Sequence, residues 1–118
     1  MPTASLAIKR IMQEMKEEER ETSKFFTIMR NPHELLKCLA TIQHVPRKGF
    51  EDRTFYLEIV CPENYPIGPP SIRFLDPVAS VPLDQINAEG RLCIDMFEWC
   101  PVWTLRGLVY TICSLLAD

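Results

Sequence analysis

The residues of this chain best suited to chemistry gather around one cysteine. Cys93 sits in Asn87-Ala-Glu-Gly-Arg-Leu-Cys-Ile-Asp-Met, inside a stretch from Asp76 to Val102 with little regular pattern and many turn residues. A thiol held on a loop by apolar neighbours can act as a nucleophile if it is accessible and its pKa is lowered. The Glu89-Gly90 pair predicts a tight reversal just before it. No histidine is local, because His33 and His44 lie far along the chain. A Cys-His pair would therefore need a spatial contact that the spacing does not reveal. A buried structural thiol is the other reading of the same residue, and residue chemistry alone leaves both open.

The remaining thiols, Cys38, Cys61, Cys100 and Cys113, read as core or loop-packing residues. The total of 5 is odd and no CxxC pair occurs. A disulfide framework is therefore not expected, and a reducing cytoplasmic or nuclear setting fits. Neither histidine stands at a ligand-like spacing from a cysteine, so no metal site is expected.

The elements that must position Cys93 follow from periodicity. Leu6 to Glu21 reads as a helix with Ile8, Ile11, Met12 and Met15 on one face and Ser5 as its cap. The charged residues of the opposite side, from Lys9 and Arg10 through Glu14 to Glu21, read as a solvated face or as a docking surface centred on Lys9 and Arg10. Strands are expected over Lys24 to Arg30, Leu35 to His44, Thr54 to Val60 and Ser71 to Leu75. The third alternates cleanly, with Phe55, Leu57 and Ile59 on one face. Thr104 to Ala117 is helical again, capped by Thr104, with Leu105, Leu108, Val109, Ile112, Leu115 and Leu116 in 3.6-residue period. Helix, antiparallel meander and helix in this order make an α+β domain. The irregular stretch between the fourth strand and the last helix has Leu92, Ile94, Met96, Phe97, Trp99 and Trp103 to anchor it, so it is expected to form a fixed, shaped surface.

Composition bounds the rest. The chain has 118 residues, 47% of them apolar and 25% charged, with a net charge of −3. Those values suit one globular domain over residues 1–118. The apolar runs are too short for a bilayer span, no secretory signal is visible, and mild acidity argues against a nucleic-acid binder. Neither a membrane nor a nucleic acid is an expected partner.

Several segments in order resemble the ubiquitin-conjugating enzymes. Ala7-Ile-Lys-Arg-Ile-Met-Gln-Glu-Met looks like the first helix of that family, and Ala40-Thr-Ile follows at the expected place. Pro62-Glu-Asn-Tyr-Pro-Ile-Gly-Pro-Pro-Ser-Ile-Arg-Phe resembles its Tyr-Pro-x-x-Pro-Pro signature. Asn87-x-x-Gly-x-x-Cys-x-Asp resembles the active-site block, and Trp99-x-Pro and Ile112-Cys-Ser-Leu-Leu-Ala-Asp complete the match. The resemblance implies a four-stranded antiparallel meander flanked by helices. It implies that Cys93 accepts ubiquitin or a ubiquitin-like protein as a thioester from an activating enzyme, without a cofactor, and passes it to an amine with a ubiquitin ligase. It also implies that Lys9 and Arg10 meet the activating enzyme and that Ile67, Pro101 and Val102 form an apolar rim for a ligase. A loop residue that covers the core is the plainer reading of Ile67. Tyr65, Pro66, Pro69 and Pro70 are stiff turn residues on either reading.

The sequence also departs from the family pattern. Leu83, Asp84 and Gln85 stand where the family carries His-Pro-Asn. Gln85 or Asn87 would have to supply the amide that the asparagine normally offers. Asp95 or Asp118 would have to stand in for the acidic residue that helps place and deprotonate the acceptor lysine. The last two family helices are expected to be absent, leaving apolar surface for a partner or for self-association to cover. A second resemblance points to the ubiquitin-conjugating enzyme variants, which share the fold, lack the catalytic cysteine and act as binding cofactors of a partner conjugating enzyme. It is carried by Phe50-Glu-Asp-Arg-Thr-Phe-Tyr-Leu-Glu-Ile-Val-Cys and Ser71-Ile-Arg-Phe.

Overall fold

The structure, a computed structural model, describes residues 4–92 and 99–117. Helix α1 (Ala4–Arg20) leads into four strands, β1 (Phe26–Arg30), β2 (Lys37–Ile42), β3 (Phe55–Val60) and β4 (Ser71–Phe74). A 3-10 turn (Val78–Ser80) and helix α2 (Leu105–Ala117) follow. The sheet is an antiparallel meander in the order β1-β2-β3-β4. This is the α+β architecture expected from the sequence.

Register explains why the strands alternate. Ile28 pairs with Ala40, Ala40 with Leu57 and Leu57 with Phe74, so one buried row crosses the whole sheet. Phe26, Ile42 and Phe55 form a second such row. Both rows lie on the face that meets Leu105, Leu108, Val109, Ile112 and Leu116 of α2 in one core cluster. The period-2 pattern of the strands and the 3.6 period of α2 thus bury one common surface.

The strands are shorter than the sequence pattern suggests, for local reasons. The backbone N–H of Phe25 bonds the Ser23 hydroxyl, so only its carbonyl reaches across, to the Gln43 N–H, and the register with β2 starts at Phe26. The Asn31 side chain accepts the N–H groups of His33 and Glu34, which makes a turn of the residues before β2. His44 has φ of 59°, a left-handed conformation that ends the strand behind it.

Helix α1 corrects two expectations. It begins at Ala4, so Ser5 lies inside the first turn instead of capping it. Its buried stripe is Ala7, Ile11 and Glu14, whereas Met15 packs against the core from the side, Ile8 is half-buried and Met12 is exposed. Glu14 does not belong to a solvated face: it is 7% exposed. The core seam runs at i, i+4 and i+7 from Ala7, one position away from the most apolar stripe. Buried hydrogen bonds to Glu14 compensate for its charge.

Both ends of α2 meet side-chain partners. Thr104 caps it as expected, its Oγ1 accepting the Gly107 N–H at 3.0 Å. A Glu14 carboxylate oxygen accepts the Leu105 N–H at 2.6 Å, placing negative charge at the positive end of the helix dipole. Arg47 reaches the Leu116 carbonyl at 3.4 Å, placing a cation at the other end.

Candidate active site

The approach to Cys93 is built from one turn and one strand edge. Asn87 opens the turn: its Oδ1 accepts the N–H groups of Glu89 at 3.0 Å and Arg91 at 2.9 Å, and its carbonyl accepts the Gly90 N–H at 2.9 Å. The tight reversal expected at Glu89-Gly90 is present. Gly90 has φ of +85°, and a Cβ there would stand 2.7 Å from the Phe74 carbonyl oxygen. Only glycine fits that approach.

The chain then runs along β4. The Phe74 N–H bonds the Gly90 carbonyl at 2.8 Å, and the Leu92 N–H bonds the Ile72 carbonyl at 2.9 Å. Arg91 faces Arg73 as a bridge pair and reaches the Ser71 hydroxyl at 2.6 Å. Leu92 is buried, and Ile86 pairs across the turn with it. The residue immediately before Cys93 is therefore fixed to the sheet through backbone and side chain. Sequence reasoning found the turn but not this extra ladder, for which Leu92 alone is a short signal.

Cys93 and Asp95 lie outside the described residues, as do the expected anchors Ile94, Met96 and Phe97, and Asp118. Beyond them the chain is fixed again at Trp99. Its indole N–H donates to the Pro66 carbonyl at 2.8 Å, and its ring lies 5.9 Å from Tyr65 and 6.2 Å from Trp103. Tyr65 is buried and precedes a cis peptide bond to Pro66. The Trp99 bond joins the Tyr65–Gly68 loop to the segment that carries Pro101 and Val102. Ile67 is 73% exposed and Val102 80% exposed, and Pro101 is exposed as well. Ile67 does not cover the core.

The two basic candidates of α1 part company. Lys9 is exposed, but Arg10 is half-buried and turned inward. Arg10 pairs with Glu14 at 3.0 Å and donates to the carbonyls of Pro101 at 3.2 Å and Trp103 at 3.1 Å. Its guanidinium is occupied within the chain. Among the residues expected in place of His-Pro-Asn, Leu83 packs against the core while Asp84 and Gln85 are exposed. Asn87 is exposed too, and its oxygen is used by the turn, so the Nδ2 hydrogens are what it can offer.

A sequence model of the ubiquitin-conjugating enzymes matches residues 10–118. The chain belongs to that family. Among solved structures it is similar to a crystal structure described as a candidate ubiquitin conjugating enzyme from Plasmodium yoelii. The TM-score is 0.78 at 26% identity, over 95% of this chain and 73% of that one.

Within a ubiquitin-conjugating fold, the four described thiols divide by environment, and all four are free. Burial pushes the Cys38 thiol up to about 11, with the Glu14 carboxylate adding to the rise. Burial also raises Cys113 to about 11, and it raises Cys61 further still. A thiol so raised stays protonated near neutral pH and is a poor nucleophile. Cys100 departs from its expected packing role, because it is exposed.

Proposed function

We propose that this chain is a ubiquitin-conjugating enzyme that carries ubiquitin or a ubiquitin-like protein as a thioester on Cys93. The observation that carries the reading is the fixed approach to Cys93, the Gly90–Leu92 ladder on β4, in a chain where Cys38, Cys61 and Cys113 are raised by burial. Family membership supplies the chemistry. The Cys93 thiolate attacks the thioester carbonyl on the activating enzyme, a new C–S bond forms, the old one breaks, and the activating enzyme's thiolate leaves. Like replaces like, so the exchange needs no cofactor. In the second step an unprotonated amine attacks the same carbonyl, Cys93 leaves as thiolate, and the proton passes to a base, for which Asp95 is the candidate. The amide of Gln85 or Asn87 would donate to the tetrahedral oxyanion, and a missing donor costs roughly 100–1000-fold in rate.

Lys9 is the residue we assign to the activating enzyme, with Arg10 fixing the loop behind it. Ile67, Pro101 and Val102 form the rim for a ligase, and Cys93 chemistry suits the reducing cytoplasm or nucleus. ATP, activating enzyme and ubiquitin should give an adduct that reductant removes. Cys93→Ala should abolish it, and Cys93→Ser should convert it to a reductant-resistant ester.

One observation favours a second reading. Leu83, one of the three residues that the family resemblance sets in the place of His-Pro-Asn, is committed to packing. On that reading the chain is a weak or inactive variant that binds ubiquitin or a partner conjugating enzyme, and its binding is the same in Cys93→Ala.

A further inference from the structure

Three donors converge on one carboxylate. Glu14 Oε2 accepts the Tyr65 hydroxyl at 2.5 Å and the Arg10 Nε–H at 3.0 Å, and Oε1 accepts the Leu105 N–H at 2.6 Å. Arg10 passes the connection on, donating to the carbonyls of Pro101 and Trp103. Its direct partners therefore belong to α1, the Tyr65 loop and the first residue of α2, and Arg10 links it to the segment before α2. A buried carboxylate is costly unless its oxygens are hydrogen-bonded, and here each oxygen is bonded to a different part of the chain.

Those same segments carry the exposed apolar residues Ile67, Pro101 and Val102. Side chains exposed to this degree are not held by their own packing. Their placement depends on backbone ties, and those ties lead through Tyr65, Trp99 and Arg10 to Glu14. We propose that Glu14 is a positioning residue for the partner-facing rim: its carboxylate sets the Ile67 loop and the Pro101–Val102 segment relative to each other and to the Lys9 side of α1. The inference rests on the rim assignment made above and adds the residue that builds the rim.

Glu14→Gln in the full chain tests it, because glutamine keeps the volume and one acceptor but loses the charge that holds Arg10. Trp99 and Trp103 are the chain's 2 tryptophans, so near-ultraviolet circular dichroism reads this segment directly. The far-ultraviolet spectrum should be unchanged and the tryptophan signal should fall. Amide exchange at Trp103 should quicken about tenfold or more, and the KM for the ligase in ligase-stimulated transfer should rise about tenfold with kcat within about twofold. Glu14→Asp, which restores the charge, should recover part of the tryptophan signal. A tryptophan signal and Trp103 exchange identical to wild type would overturn the proposal, as would a fall in kcat at constant KM. If the wild type takes no ubiquitin, the function proposed above fails separately, and the tryptophan signal and amide exchange alone decide the role of Glu14.

Discussion

The carbonyl of Gly90 accepts the Phe74 N–H at 2.8 Å, while its Cα lies so close that a Cβ would stand 2.7 Å from the Phe74 oxygen. This contact sets where the chain joins the edge of β4, along which it runs as far as Leu92. Gly90→Ala combines a left-handed φ with a backbone clash, and each strained residue costs of order 1–3 kcal/mol. Urea unfolding should show a loss in that range, and thioester formation should slow at temperatures where the variant is still folded.

The α2 cap gives a smaller, cleaner effect. Removing the Thr104 hydroxyl leaves the Gly107 N–H without its 3.0 Å acceptor, so Thr104→Ala should lower stability by about 1 kcal/mol. Thr104→Ser should recover most of it. Urea midpoints of the three proteins check this.

The thiols predict a pH dependence. Cys38 and Cys113 are raised from 9.0 to about 11 in the folded chain. Below pH 9 the thiol is protonated whether the chain is folded or unfolded, and the contribution to stability is fully present. Between pH 9 and 11 the unfolded chain ionises first and binds fewer protons than the folded one, so stability falls as pH rises. Denaturant titrations across this window should show the decline, and Cys38→Ala with Cys113→Ala should make it shallower, the part that remains coming from Cys61 and Tyr65, which burial also raises. At pH 8 a thiol reagent should label Cys100 ahead of Cys38, Cys61 and Cys113 in the native protein.

The rim residues should separate binding from folding. Ile67 and Val102 are largely exposed, so Ile67→Ala and Val102→Ala should each change stability by no more than about 0.5 kcal/mol. On the proposed function both should weaken ligase-stimulated transfer. Thermal melts beside transfer assays with and without a ligase test the two halves of the statement.

Much of the fold was legible because burial follows period. Phe55, Leu57 and Ile59 alternate, and Leu105 through Leu116 keep a helical spacing, so both patterns point to one core. Thr104 and the Glu89-Gly90 turn were legible from local chemistry. Glu14 was not, because a carboxylate in a charged run looks solvated until Tyr65, Arg10 and the α2 N-terminus, 51 and 91 residues away for the first and last, are brought to it. Its position seven residues after Ala7 and three after Ile11 was the signal available. The inward bonds of Arg10 were hidden for the same reason: its partners Pro101 and Trp103 are distant in sequence. The Gly90–Leu92 ladder was hidden because three residues are too few to show a strand period.

The central claim is that Cys93 carries a transferable acyl group. Intact-mass analysis of the full chain after incubation with ATP, activating enzyme and ubiquitin, with and without reductant, tests it most directly. One ubiquitin mass should be added, lost on reduction, and absent from Cys93→Ala but retained in Cys100→Ala. An unmodified wild-type mass, or an adduct that persists in Cys93→Ala, would contradict it.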